Sequence, residues 1–99
     1  MIRHEDFLLQ SGLGESTLQL WVAEGWLSSE PERPAAELAR AALIRELTEE
    51  LGVNTEGVDV ALRLLDQLHG LRAALRAVLE GLPVEARAAA LLSLRGGLE

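Results

Sequence analysis

The sequence predicts a mostly α-helical protein: a helix-turn-helix, then a long helix and a short C-terminal helix. Apolar residues recur at three- and four-residue spacing through most of the 99 residues. Gly12, Gly25, Gly52 and Gly81 interrupt that pattern at helix-length intervals. Residues 15–27, ESTLQLWVAEGWL, have the layout of the second helix of a helix-turn-helix, closed by the tight Glu24-Gly25-Trp26 turn that opens a wing.

The first helix is expected over residues 4–11, HEDFLLQS, with Phe7 and Leu8 on one face. Glu5 and Asp6 stand in its first turn, where acids complement the helix dipole. Gly12 suits the C′ position, and Gly12-Leu13-Gly14 turns the chain into the second helix. Ser16 or Thr17 is the expected cap there, and Leu18, Trp21 and Val22 follow at i, i+3 and i+4. Residues 28–34 are polar and carry Pro31 and Pro34, too broken for a strand of any length, and read as a rudimentary wing or loop. Pro34 suits the first position of a third helix, which Leu38, Ala42 and Ile44 continue to a stop at Gly52.

Asn54 or Thr55 begins the longest helix, which reaches about Gly81 with Glu56 in its first turn. Ala61, Leu64, Leu68, Leu71, Leu75, Val78 and Leu82 step alternately by three and four residues. That is an a/d seam over three heptads, the expected dimerisation surface. Val58, Leu62, Leu65 and His69 form a second stripe beside it, suited to covering the helix-turn-helix core. Gly70 costs up to ~1 kcal/mol against Ala in mid-helix, a cost that close approach by a partner backbone would explain. Gly81-Leu82-Pro83 leads into a last helix over residues 83–94. Its Ala88, Leu91, Leu92 and Leu94 are expected to fold back on the long helix, and Gly96-Gly97 to end it. The final Leu98-Glu99 has the look of a vector scar. Residues 1–54 and 55–99 are thus two segments of one compact unit.

Charge narrows the function. The chain carries −7, with nine arginines and no lysine, the wrong sign for a freestanding nucleic-acid binder. Residues 1–54 hold ten acids against four arginines, a net of −6, while residues 55–99 hold six against five, a net of −1. The second helix offers Glu15, Gln19 and Glu24 but no cation to meet phosphates or base edges. Its shape is that of a regulator, and its charge points to a basic protein surface. Without cysteine there are no disulfides, thiol chemistry or thiolate metal sites. His4 and His69 lie far apart with no ligand-spaced neighbours, so no metal, cofactor or enzymatic chemistry is expected. The N-terminus carries acids where a signal peptide would be apolar, and no apolar run reaches the ~20 residues of a membrane span. A cytoplasmic location is the resulting expectation.

Glu46, Glu49 and Glu50 crowd the end of the third helix against its dipole, which hints that they serve a partner rather than the helix. Asp59 and Asp66, seven residues apart, share one face of the long helix, with Arg63 within pairing distance of both. These five acids, with Trp26 just past the Gly25 turn, are the candidate partner-binding residues.

Residues 53–71, VNTEGVDVALRLLDQLHGL, resemble the CbpM-like chaperone-modulator family, whose second half carries a VN-x-x-GV-x-x-AL-x-LLD signature on a long helix. The matching positions are Val53, Asn54, Gly57, Val58, Ala61, Leu62, Leu64, Leu65 and Asp66. The first half is similar to that family's MerR-like helix-turn-helix through Trp21, Val22, Gly25 and Leu27. The likeness covers about residues 4–76; residues 83–99 have no counterpart, and the wing is poorer in aromatics than is usual among MerR regulators. The resemblance implies an adaptor that binds the J-domain of a DnaJ-like, CbpA-type co-chaperone and blocks its cooperation with DnaK and its DNA association. J-domains present a basic helix to DnaK, so an acidic competitor is complementary in sign. One rival reading is a dimeric MerR-type transcription regulator, in which Arg3, Arg33, Arg40 and Arg45 would meet phosphates. Another is a purely structural dimer or antitoxin-like module.

Overall fold

The computed structural model describes the backbone of residues 1–98 and the side chains of all of these except 94 and 96–98. The elements run β1 (Ile2–Arg3), α1 (His4–Ser11), α2 (Glu15–Ala23), β2 (Glu32–Arg33) and α3 (Ala36–Arg45). A π-helical turn (Glu46–Glu50), α4 (Thr55–Glu80) and α5 (Val84–Leu98) complete a mostly α fold. They divide into two compact units, Met1–Leu62 and the unit that begins at Arg63. The sequence suggests a segment boundary at residue 54. The division falls inside α4 instead, because Val58 and Leu62 are buried with the first unit.

In the first unit, α1 ends where Gly12 turns left-handed (φ 73°) and donates its N–H to Leu8 O at 3.0 Å. The helix α2 starts at Glu15 with extended Gly14 as its N-cap and no side-chain cap, which corrects the expectation of Ser16 or Thr17. Its other end is a Schellman motif. Gly25 (φ 80°) donates to Val22 O at 2.9 Å and Trp26 N–H to Trp21 O at 3.0 Å. The apolar contact that accompanies this motif is the Trp21–Trp26 pair, with ring centroids 6.5 Å apart.

Residues 28–34 do contribute a strand, contrary to the sequence reading. Ile2 pairs with Arg33 and Arg3 with Glu32, antiparallel. The N-terminus supplies the partner strand, so the segment is stitched back to α1 rather than forming a wing hairpin of its own. Two residues after Pro34, α3 begins, preceded by tighter bonds from Glu37 N to Pro34 O and Leu38 N to Ala35 O, each 3.0 Å. The helix widens at Glu46–Glu50, where Leu51 N bonds Glu46 O at 3.1 Å, and Gly52 (φ 66°) stops it. Phe7, Leu13, Leu18, Trp21, Trp26, Leu27, Ala41, Ile44, Val58 and Leu62 make the core.

The second unit comprises the rest of α4 and α5. The last helix runs through Gly96 and Gly97 to Leu98, past its expected end; Glu99 lies outside the described residues. None of the described side chains from Arg63 onward is buried. The expected packing of Ala88, Leu91 and Leu92 against α4 is not formed: Ala88 is exposed, Leu91 is 50% exposed and Leu92 70%. The packing expected of Leu94 lies outside the described side chains. What ties α5 to α4 is polar. Arg87 donates from Nε to Leu79 O (2.9 Å) and from Nη2 to Glu80 O (3.1 Å) and Leu82 O (3.5 Å), satisfying carbonyls at the end of α4.

Candidate protein-binding surfaces

The start of α4 explains why the VNxxGV residues stand together. Asn54 Oδ1 accepts the Gly57 N–H at 2.8 Å, and Asn54 O accepts the Val58 N–H at 3.0 Å. This is a side-chain N-cap. A Cβ on Gly57 would lie 2.6 Å from Val53 Cγ1 and 3.1 Å from the capping oxygen, so the position admits only glycine without displacement. Val58 is then fully buried. Four of the residues that carry the resemblance therefore build a helix start.

Charge is distributed more unevenly than the sequence halves suggest. Met1–Leu62 holds twelve acids and four arginines, a net of −8, and the unit from Arg63 four acids and five arginines, a net of +1. In the first unit most of the positive charge is committed to the fold. Arg33 is 2% exposed, donates from Nε and Nη2 to Ser28 O at 3.0 and 2.9 Å, and lies 5.0 Å above the Phe7 ring centroid. Arg40 Nε donates to Trp26 O at 2.6 Å. Arg45 Nη2 donates to Gly12 O at 3.0 Å, with Nε 3.7 Å from Glu49. Of the four, only Arg3 is exposed.

A polar chain runs from Arg33 across the unit. Its Nη1 lies 3.3 Å from His4 Nδ1, and His4 Nε2 is 2.8 Å from Glu15 Oε2. Since the guanidinium only donates, the His4 ring accepts at Nδ1 and donates from Nε2 to the carboxylate. Glu15 also accepts from Gln19 Nε2 at 3.0 Å. Hydrogen bonds from Gln19 first and His4 second hold the Glu15 carboxyl below the usual glutamate range. Glu37 completes the chain, accepting the Ser28 N–H at 2.9 Å with Oε2 3.6 Å from Arg33 Nε. Sequence reading missed this network. The Arg33–Glu37 spacing of i, i+4 was the available signal; His4, 29 residues from Arg33, gave none.

The candidate acids are placed as follows. Glu46, Glu49 and Glu50 are exposed on the π-helical turn beside exposed Leu51. Asp59 is half-buried in the first unit, and Asp66 is exposed in the second. Trp26 requires correction. It is 5% exposed and packed on Trp21, because the Schellman turn folds it inward, so its ring is out of reach of a docking partner. The pattern Trp-x-x-x-Gly-Trp carried that signal, since the residue after a C′ glycine packs back on the helix.

The two stripes of α4 part company. Val58 and Leu62 are buried and Leu65 is half-buried, while His69 is exposed. On the seam, Leu64 (59% exposed), Leu68, Leu71 (68%), Leu75 and Val78 face outward, and Ala61 and Leu82 are half-buried. A contiguous apolar row of this kind marks an interaction surface. Among the described residues no group of three His, Asp or Glu is placed to hold a metal, and no helix is long and apolar enough to cross a membrane. Compared with models of known families, with curated proteins and with solved structures, the chain matches none.

Proposed function

We propose that the protein is a non-catalytic, cytoplasmic adaptor. It binds the J-domain of a DnaJ-like, CbpA-type co-chaperone through the acidic residues of its first unit and Asp66 further along α4, as a homodimer held on the exposed seam of α4. The observation that carries this reading is the first unit's net charge of −8, with three of its four arginines hydrogen-bonded to backbone carbonyls of the unit. A surface of that sign repels phosphates and steers a basic helix toward it. The rival DNA-binding reading asks Arg33, Arg40 and Arg45 for phosphate contacts that would cost the hydrogen bonds they make to Ser28, Trp26 and Gly12. The resemblance of residues 53–71 supplies the partner's identity, and the charge supplies the recognition.

The test is titration of the cognate J-domain with wild type and with Asp59→Arg/Asp66→Arg at low and high salt, with duplex DNA in parallel. Binding is expected with an on-rate that falls steeply with salt. Charge reversal should weaken it by a few kcal/mol if the aspartates are desolvated in the interface, and by ~1 kcal/mol or less on its rim. Equal affinity for both forms removes these aspartates from the site. Absence of binding to any J-domain of the same cell, or micromolar salt-sensitive DNA binding, overturns the reading.

A further inference from the structure

The unit from Arg63 carries a second surface of opposite sign. Between α4 and α5 lies a groove of about 370 Å³ with Leu75, Leu79 and Leu91 among its lining and Arg72, Arg76 and Arg87 around them. Arg87 is held in place by its bonds to the last carbonyls of α4. Arg72 and Arg76, one helical turn apart, make no ion pair among the described residues. Glu80 is the single acid in the lining and stands at i+4 from Arg76, the less favourable order for such a pair, and does not engage it. Two cations with no ion pair among the described residues thus flank an apolar floor in a chain whose net charge is −7.

We propose that this groove receives an acidic amphipathic helix of another protein. Its apolar side chains would rest on Leu75, Leu79 and Leu91 while its carboxylates meet Arg72 and Arg76. A groove between two helices with a leucine floor suits a third helix bearing apolar residues at i, i+3, i+4 and i+7. Arg72 and Arg76 select the sign of the polar residues between those anchors, and their planar guanidinia suit carboxylates. A nucleic-acid strand fits less well, since residues 63–99 contain no Phe, Trp or Tyr on which bases could stack. The groove shares Leu75 with the seam assigned to the homodimer but none of the acids assigned to the J-domain, so the groove and the J-domain assignments can fail independently.

The probe is a fluorescein-labelled synthetic helix of leucine and glutamate with that spacing, and its counterpart with lysine for every glutamate. Each is titrated with the full chain by fluorescence anisotropy. The acidic peptide is expected to bind at least roughly tenfold more tightly than the lysine peptide. Arg72→Glu/Arg76→Glu should reverse that preference while circular dichroism shows unchanged helix content. Leu79→Ala should weaken both peptides and leave the salt dependence intact. Equal binding of the two peptides, or acidic binding indifferent to the charge reversal, overturns the proposal. So does binding to phosphatidylserine vesicles with none to the acidic peptide, which would make the groove a lipid-facing surface. Loss of self-association in the charge-reversed variant, with no peptide bound by either form, would assign the groove to a second copy and also overturn it.

Discussion

Gly57→Ala and Gly70→Ala should shift stability in opposite directions, although both glycines lie within α4. Helix propensity alone favours alanine at either position by up to ~1 kcal/mol in a helix interior. At Gly70 nothing lies within 4 Å of the added Cβ, so that gain should be realised. At Gly57 the Cβ would sit 2.6 Å from Val53 Cγ1 and 3.1 Å from Asn54 Oδ1. Relieving the first contact displaces a side chain at a cost of ~1–3 kcal/mol. Relieving the second moves the oxygen that caps the helix, and a lost N-cap costs ~1 kcal/mol. The propensity gain offsets only part of this, leaving Gly57→Ala about 1–3 kcal/mol less stable. In a domain of this size that lowers the melting temperature by roughly 4–24 °C, whereas Gly70→Ala should raise it by a few degrees. Thermal unfolding by circular dichroism, at matched protein concentration because association adds stability by mass action, reads both. A Gly57→Ala melt at or above wild type would refute the steric reasoning. A Gly70→Ala melt below wild type would show that a partner backbone approaches that position.

Arg33→Ala should cost about 2–4 kcal/mol in urea unfolding, because it strips the Ser28 carbonyl of two donors and the Phe7 ring of its cation; a loss under ~0.5 kcal/mol would contradict that. The Glu15 carboxyl, whose folded pKa is lowered, contributes stability that is present above its unfolded pKa and is lost as pH falls through the folded one. Its NMR titration midpoint should therefore lie below the ordinary glutamate value and move up in Gln19→Ala; an unchanged midpoint in that variant would remove Gln19 as the leading cause. Leu68→Glu/Leu71→Glu should yield a monomer that remains largely helical, and wild type sedimenting as a monomer at tens of micromolar (~10–50 μM) would contradict the homodimer.

Much of the helical layout was legible because it depends on neighbours a few residues apart. Gly12, Gly25 and Gly52 end helices in the sequence pattern and adopt positive φ in the structure, since a residue with a Cβ is disfavoured there. Asn54 caps α4, and the stripe of Val58 and Leu62 turns inward as its period requires. The seam from Leu64 to Val78 was equally legible, and its exposure leaves it available to a partner.

Other features depend on residues that meet only after the chain has folded back. A two-residue strand has no period to read, so the Ile2–Arg33 pairing could not be inferred from either segment. Arg33 looks like a surface cation until the Phe7 ring, the Ser28 carbonyl and His4 surround it. The widening at Glu46–Glu50 and the run of α5 through two glycines also escape local propensity. The sequence by itself determined most helix stops and which faces are apolar, because backbone preference and side-chain period act within one or two turns. Tertiary structure alone decided which charges the fold engages and which stay exposed. Desolvating a guanidinium is favourable only once the carbonyls, carboxylates and rings that replace its water have been brought together from distant parts of the chain.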